Sequence, residues 1–375
     1  IFSSCVSDST LITPCETLYT RILCASREKF LARPTLPAHF HNFSARPGRP
    51  SDDARRAPSV SGGWILSGID LEAGGTWLGI NRAGQIGFLC ASTTDYVDYL
   101  HRINTIIHRT NITEPLDEKK YAVSRGLFVQ QYLSHNGSTP LYLFSYLSEH
   151  YDRDTARPET GGFNFILFAP KSSKSSGLEY EAALLTNHGA CGPLEYRSIS
   201  ADECHNGGIS NAIDGSPIDG LGRTGPWLKI DIGRVQFEGI FEAGRSSSPE
   251  LTGDEQEAAL IEALMELMGW SLPSSDSSLD HLRDSIFIPP FNTVPRLSTP
   301  VDSDATSSAQ PPPTERSKLN GTRLTTIILV RRDGGVCFVE RDRSVLKGDG
   351  GLDDVAEVFG LGKWETQRLY RFSPR

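Results

Sequence analysis

Methionine is almost absent, with 2 in 375 residues, and no apolar run approaches the ~18 residues a membrane-spanning helix needs. Pieces such as Leu141 to Leu147 are far too short, so no integral membrane segment is expected. Basic charge is also in deficit. With 37 Lys+Arg against 46 Asp+Glu the net charge is −9, so no global positive surface attracts nucleic-acid phosphate, and nucleic acid is not an expected partner. Cysteine lacks any framework pattern. Cys5, Cys15, Cys24, Cys90, Cys191, Cys204 and Cys337 are odd in number and irregular in spacing, which argues against disulfide staples and for a reducing compartment. Ile1 to Ser4 is too short and too polar for the apolar core of a secretory leader, and the sequons at Asn42, Asn111, Asn136 and Asn320 read as incidental. No internal repeat occurs, which removes solenoids and propellers.

What the chain has instead is Gly and Pro, 35 and 23 respectively, concentrated enough to mark loops. Residues 41–63, 271–280 and 297–318 bury too little apolar surface to offset their ordering entropy and are expected as loop or disordered insertions in a single domain of residues 1–375. Between them, Trp64 to Asp70, Thr76 to Ile80 and Gln85 to Cys90 are short apolar runs separated by Gly-rich turns, the pattern of an antiparallel meander. Ser124 to Ser134 and Pro140 to Tyr151 have helical length and composition. Thr252 and Glu255 form a capping-box pattern before a helix whose apolar face is read as Ala258, Ile261, Leu264, Met265 and Met268, ended by Gly269.

Near the end of the chain, Thr325 to Val330, the turn Arg332 to Gly335, and Val336 to Glu340 spell a hairpin. Neither strand alternates. Antiparallel strands normally show one face to water, so these need cover on both sides. Helices on one side and a second sheet on the other provide it. The expected fold is therefore α+β, a four-layer α-β-β-α sandwich of antiparallel sheets.

Several motifs carry little chemistry. Gly220 to Gly225 matches G-x-G-x-x-G but follows no strand, so it is read as an insertion loop. His188, Cys191, Cys204 and His205 are zinc-type ligands, but adjacent Cys204 and His205 rarely reach one tetrahedral ion together, and no metal or resident cofactor is expected.

The informative segment is Tyr19-Thr-Arg21-Ile22-Leu23-Cys24-Ala25-Ser26-Arg27-Glu28-Lys29-Phe30, followed by Arg33-Pro34. It resembles the Asn-Arg-Asp-Glu-Phe hallmark and Arg-Pro pair of the transport and Golgi organization protein 2 family. Further matches run in order: Gly74-Gly75-Thr76-Trp77-Leu78-Gly79, Ser124-Arg125-Gly126, Gly162-Phe163-Asn164, Gly208-Ile209-Ser210-Asn211-Ala212, Pro226-Trp227-x-Lys229, Gly321-Thr322-Arg323 and Trp364-Glu365-Thr366. The chain is thus similar to a divergent, fungal-like member over almost its full length.

The resemblance implies an N-terminal-nucleophile (Ntn) hydrolase-like fold, in which a leading cysteine attacks, its α-amino group serves as base, and Arg and Asn side chains stabilise charge. Carried over residue by residue, Arg27 matches the motif arginine, Glu28 stands for its Asp, Asn211 for the Asn of Ser-Asn-Ala, and Arg323 for the late arginine. Cys5 is the candidate remnant of the nucleophile. Ser26, Lys29 and Cys90-Ala91 depart from the family's Asn, Glu and Thr-Asn, and the chain opens with Ile1-Phe2-Ser3-Ser4 in place of the nucleophilic cysteine, so catalysis is not expected of the chain as it stands. Trp77 and Asn164 are the candidate ligand-binding positions, with Trp64 and Trp77 as apolar walls. The implied role is Golgi organization and protein secretion, with a small anionic or lipid-like ligand such as haem or acyl-CoA. The implied location is cytoplasmic, in association with Golgi or mitochondria. The alternative is a cysteine-dependent amidohydrolase.

Overall fold

Strands from the two ends of the chain share one sheet, and the middle of the chain builds the other. The structure, a computed structural model, describes residues 2–5, 18–43, 62–91, 121, 123–135, 142–151, 159–171, 178–188, 193–211, 214, 227–245, 253–273, 284–292, 319–348, 355–360 and 366–374. In chain order the strands are β1 (Phe2–Cys5), β2 (Tyr19–Phe30), β3 (Thr35–His41), β4 (Ile65–Asp70), β5 (Leu78–Asn81), β6 (Ile86–Ala91), β7 (Phe163–Pro170) and β8 (Tyr180–Thr186). They continue with β9 (Glu195–Ser198), β10 (Gly207–Gly208), β11 (Phe291–Asn292), β12 (Leu319–Arg331), β13 (Val336–Asp342), β14 (Ser344–Lys347), β15 (Val355–Val358) and β16 (Gln367–Phe372). The helices are α1 (Gly126–Leu133), α2 (Leu143–His150), α3 (Ala201–Asn206), α4 (Leu228–Arg245) and α5 (Gly253–Leu267).

The first sheet runs β10-β1-β2-β12-β13-β16, with β11 also on β12; the second runs β3 to β9 in sequence order. All strand pairings in both sheets are antiparallel. Three apolar clusters define the layers. Ile22, Cys24, Ile327, Leu329, Cys337 and Val339 on one face of the first sheet pack under Phe237 and Phe241 of α4 and Leu264 and Met265 of α5. Leu23, Ala25, Ile328, Val330, Val336 and Phe338 on its other face meet Phe40, Leu66, Ile80, Phe88 and Phe168 of the second sheet. The outer face of the second sheet, including Ile65, Phe163, Phe165 and Leu167, lies under Phe128 and Tyr132 of α1 and Tyr146 and Leu147 of α2.

The layer order is α-β-β-α, as the two-sided hairpin requires. Ile327 and Leu329 go to the helices and Ile328 and Val330 to the opposing sheet, and none exceeds 0% exposure. Burying each such side chain on both faces contributes about 1.5–3 kcal/mol, which is why these strands carry no polar alternation.

One expectation changes in detail. On α5, Ala258 is exposed and Glu257 takes the inward position with Leu260, Ile261, Leu264 and Met265. Glu257 is only 4% exposed because three groups converge on it: the Tyr19 hydroxyl at 3.1 Å and the Arg371 and Arg331 guanidiniums at 2.9 and 3.9 Å. A charge so satisfied sits inside without the usual cost. The expected cap at Thr252, the Gly220–Gly225 segment, residues 297–318 and most of residues 41–63 and 271–280 lie outside the described residues, although His41 is the last residue of β3.

Candidate functional site

The turn between β4 and β5 is built by one aspartate and two glycines. Asp70 Oδ1 accepts from the Glu72 and Ala73 N–H groups, both at 3.1 Å, and the Asp70 carbonyl accepts from Gly74 N–H at 2.9 Å. Gly75 adopts φ 72°, and a Cβ there would lie 2.5 Å from the Gly126 carbonyl oxygen, so only glycine lets the start of α1 approach. Trp77 then leaves the turn over Gly68, where a Cβ would stand 2.5 Å from the indole. The space at Gly68 is what lets that ring lie flat. Across the interior, the Arg27 guanidinium covers the Trp77 ring at 3.6 Å from its centroid.

Around this stack four arginines and four acids gather at one end of the sandwich. Arg27, 6% exposed, has Asp70 at 3.6 Å, while Arg33 Nε donates to the same Asp70 at 2.8 Å and pairs with Glu72 at 3.0 Å. Arg323 is the extra residue of a β-bulge, since Thr322 stands opposite Glu28 and Leu324 opposite Arg27. Its Nη1 donates to the Arg33 carbonyl. Glu340, 1% exposed, accepts from the Ala38 N–H at 2.9 Å and from Arg368 at 3.1 Å, and Arg368 also holds Asp342 at 2.7 Å. Tyr370 donates its hydroxyl to the Ala38 carbonyl at 2.7 Å. Both polar groups of Ala38 are thus taken by the opposite sheet, at the point where the β3–β4 register shifts between Leu36 and His39. Pro37 sits in that shift, on an edge strand, where its missing N–H costs no ladder bond.

The electrostatics follow from this burial. Arg27 is pushed down to about 9, first by burial and further by Arg323 and Arg33, with Asp70 opposing. Arg323 is lowered too, by burial, against the pull of Asp342 and Glu340. Burial raises Asp70, but the Arg33 hydrogen bond and charge outweigh it together with the Ala73 N–H and Arg27, so Asp70 ends below the ordinary carboxylate range. Glu340 goes the other way: burial raises it despite Arg368.

The candidate residues are placed as follows. Arg27 and Arg323, from opposite ends of the chain, share this cluster with Trp77. Glu28 alternates with Arg27 along β2 and has Lys229 of α4 at 3.9 Å, and the charges of both Glu28 and Lys229 reach the Cys90 thiol of the opposite sheet. Asn164, 1% exposed, stands opposite Cys90, whose thiol burial pushes up to about 11. Leu89 N–H donates to the Trp77 carbonyl at 2.8 Å, which sets Trp77 beside that pair. Asn211 lies past β10 at the same end, with the Ser210 hydroxyl donating to it at 3.3 Å.

Cys5 is not brought to Arg27. The β1–β2 register puts it opposite Arg21, six residues along β2 and ~20 Å from Arg27 at strand rise. Trp64 is also misplaced as a wall: it packs against the apolar cluster beneath α1 and α2, on the far face of the sheet from Trp77. Asp70, Glu340, Arg368 and Lys229 are site residues the sequence reading did not select. Glu340 had a signal, being a charge that directly follows the two-sided apolar run Val336 to Val339.

The sequence signature of the family described as "Transport and Golgi organisation 2" matches residues 10–344. A Transport and Golgi organization 2 homolog of Mus musculus is 26% identical over 358 residues, covering 95% of this chain and 93% of its own length. A Transport and Golgi organization protein 2 homolog of Bos taurus is 27% identical over 326 residues, covering 86% of each. Among solved structures, a conjugated bile acid hydrolase from Clostridium perfringens superposes with a TM-score of 0.38 at 8% identity, covering 100% of this chain and 97% of its own. That likeness is too distant to bear on substrate or residues. The match over residues 10–344 and the near full-length relatives carry the assignment: the chain belongs to the Transport and Golgi organisation 2 family.

Proposed function

We propose that the chain acts in transport, Golgi organisation and protein secretion by holding an anionic ligand of the haem or acyl-CoA class at the sheet-end arginine cluster, without hydrolysing it. One observation supports this reading above the others. Arg27 is 6% exposed, yet among the described residues its Nη1 has no hydrogen-bond partner, and its one close carboxylate is shared with Arg33. A buried donor left unsatisfied costs about 1–3 kcal/mol, which an incoming carboxylate or phosphate oxygen would recover. Trp77 supplies the flat apolar surface beside it, and Asn164 a polar group at the same end.

A cytoplasmic working location, in contact with Golgi or mitochondria, goes with this role. No helix among the described residues is long and apolar enough to cross a membrane. Calorimetric titration with haem and with palmitoyl-CoA tests the ligand. Saturable micromolar binding, weakened at least tenfold by Arg27→Met, is the expected result. Binding of neither compound sinks the reading, and stoichiometric labelling of a chain beginning at Cys5 by a thiol-directed amide inhibitor, lost in Cys5→Ala, supports the amidohydrolase alternative instead.

A further inference from the structure

Helix α3 carries the chain from β9, an edge of the second sheet, to β10, an edge of the first, and between those edges lies a cavity of about 110 Å³. Its apolar walls are Phe88, Ile166, Phe168, Leu184, Ile199 and Ile209. Ile166, Ile199 and Ile209 belong to the cluster between the sheets yet are only partly buried, so each keeps apolar surface that a hydrocarbon in the cavity would remove from water.

The charged lining consists of Arg197, Glu203 and Asp214. Arg197 uses every N–H of its fork: Nη1 and Nη2 donate to Glu203 at 2.9 and 2.7 Å, Nε and Nη2 to Asp214 at 2.9 and 2.8 Å, and Nη1 also to the Ser198 carbonyl at 3.1 Å. An anion entering the cavity therefore finds no free donor on Arg197, and two carboxylates against one guanidinium leave a negative charge in excess. Glu203 is further engaged by the Ser200 N–H at 2.8 Å, in the capping box of α3. Asp214 accepts a single bond on each oxygen among the described residues, so both oxygens keep acceptor capacity, and it is the less exposed of the two acids, 25% against 42%. We infer that this cavity binds a small primary alkylammonium ion, its tail against the three isoleucines and its N–H groups on Asp214. The volume sets the tail: an apolar cavity of ~150 Å³ holds benzene, so about 110 Å³ takes a chain of roughly four or five carbons. The inference is independent of the ligand proposed for Arg27.

The probe is n-butylammonium, titrated calorimetrically into the full chain alongside methylammonium and butanoate. Saturable butylammonium binding is expected, with methylammonium at least tenfold weaker for want of a tail and butanoate at least tenfold weaker for want of positive charge. In a protein labelled at the isoleucine δ-methyl groups, the signals of Ile166, Ile199 and Ile209 should shift along the titration, while those of Ile22 and Ile327, under the helices, stay in place. Asp214→Asn should weaken butylammonium at least tenfold, and Glu149→Gln, which removes an exposed acid elsewhere, should leave the affinity as it was. The wild-type comparisons and the methyl shifts decide the matter even where Asp214→Asn fails to fold. No saturable butylammonium binding, butanoate bound equally well, shifts confined to other isoleucines, or a folded Asp214→Asn protein that binds as the wild type does would each overturn the inference.

Discussion

Replacing Asp70 by asparagine tests the electrostatic reading of the sheet end more directly than any other single change. Asparagine keeps an oxygen for the Glu72 and Ala73 N–H groups, so the turn survives and only the charge is lost. Arg33 retains Glu72 at 3.0 Å, which limits its share of the damage. Arg27 retains no carboxylate contact and is 6% exposed, the situation in which breaking a buried pair costs about 3–5 kcal/mol. The face of Trp77 offsets about 2 kcal/mol of that, so the expected net loss is roughly 1–3 kcal/mol at neutral pH. Urea unfolding measures it as a shift of midpoint at constant slope. The pH dependence carries a sign. Asp70 is held below the ordinary carboxylate value, so its stabilisation is complete above ~4 and disappears as pH falls through the lower folded value. Wild type and Asp70→Asn should therefore converge in acid. A second change, Arg27→Met, should make Asp70→Asn cheaper by ~1–3 kcal/mol in a double-mutant cycle. A loss under ~1 kcal/mol at pH 7, a gap that does not close in acid, or strict additivity with Arg27→Met would refute the claim that Asp70 compensates Arg27.

Three further outcomes are expected. Tyr370→Phe leaves the buried Ala38 carbonyl without its donor across the sheets and should cost about 1–3 kcal/mol in urea, with faster amide exchange along β3. Gly75→Ala and Gly239→Ala should move the thermal midpoint in opposite directions. The first forces a side chain into φ 72° against the Gly126 carbonyl, while the second adds a methyl with nothing within 4 Å on an exposed face of α4 and should gain about 0.5–1 kcal/mol. Cys24 and Cys337 should resist thiol reagents at pH 8 in the native protein and react on unfolding, because burial raises both thiols, Cys337 to about 12. Rapid native labelling at either position would contradict the packing under α4 and α5.

Much of this fold can be read from runs of residues that do not alternate. The stretch Ile327 to Val330 demanded cover on both faces, and the structure supplies α5 and α4 on one and the β3–β9 sheet on the other. What stayed hidden has local causes. Helix α4 carries Gly233, Gly239 and Gly244, each costing about 1 kcal/mol in a helix interior, and that composition hides the spacing of Ile230, Phe237 and Phe241 which buries it. The inward Glu257 was invisible because a periodicity argument counts charge as outward, whereas Tyr19, Arg331 and Arg371 come to it from strands remote in sequence.

The site was legible in its cations and illegible in its partners, for a related reason. Arg27 and Arg323 stand in motifs, but adjacent residues of a strand alternate in direction, so Arg27 and Glu28 take different partners, Asp70 and Lys229. The carboxylates that act on Arg27 against its burial come from the β4 turn and from β13, and Arg323 comes from a bulge in β12. The same alternation gives β2 a buried arginine at each end of its inward face, Arg27 with a shared aspartate and Arg21, among the described residues, with only rings and a carbonyl. Since both are buried and, among the described residues, only Arg27 has a counter-charge, ligand-free stability should respond differently to Met substitution at the two positions: a loss at Arg27, where the change strands Asp70 with Arg33 alone, and no loss at Arg21. Urea midpoints of the two variants decide it, and a loss of similar size at both would mean that aromatic faces compensate a buried guanidinium as well as a carboxylate does.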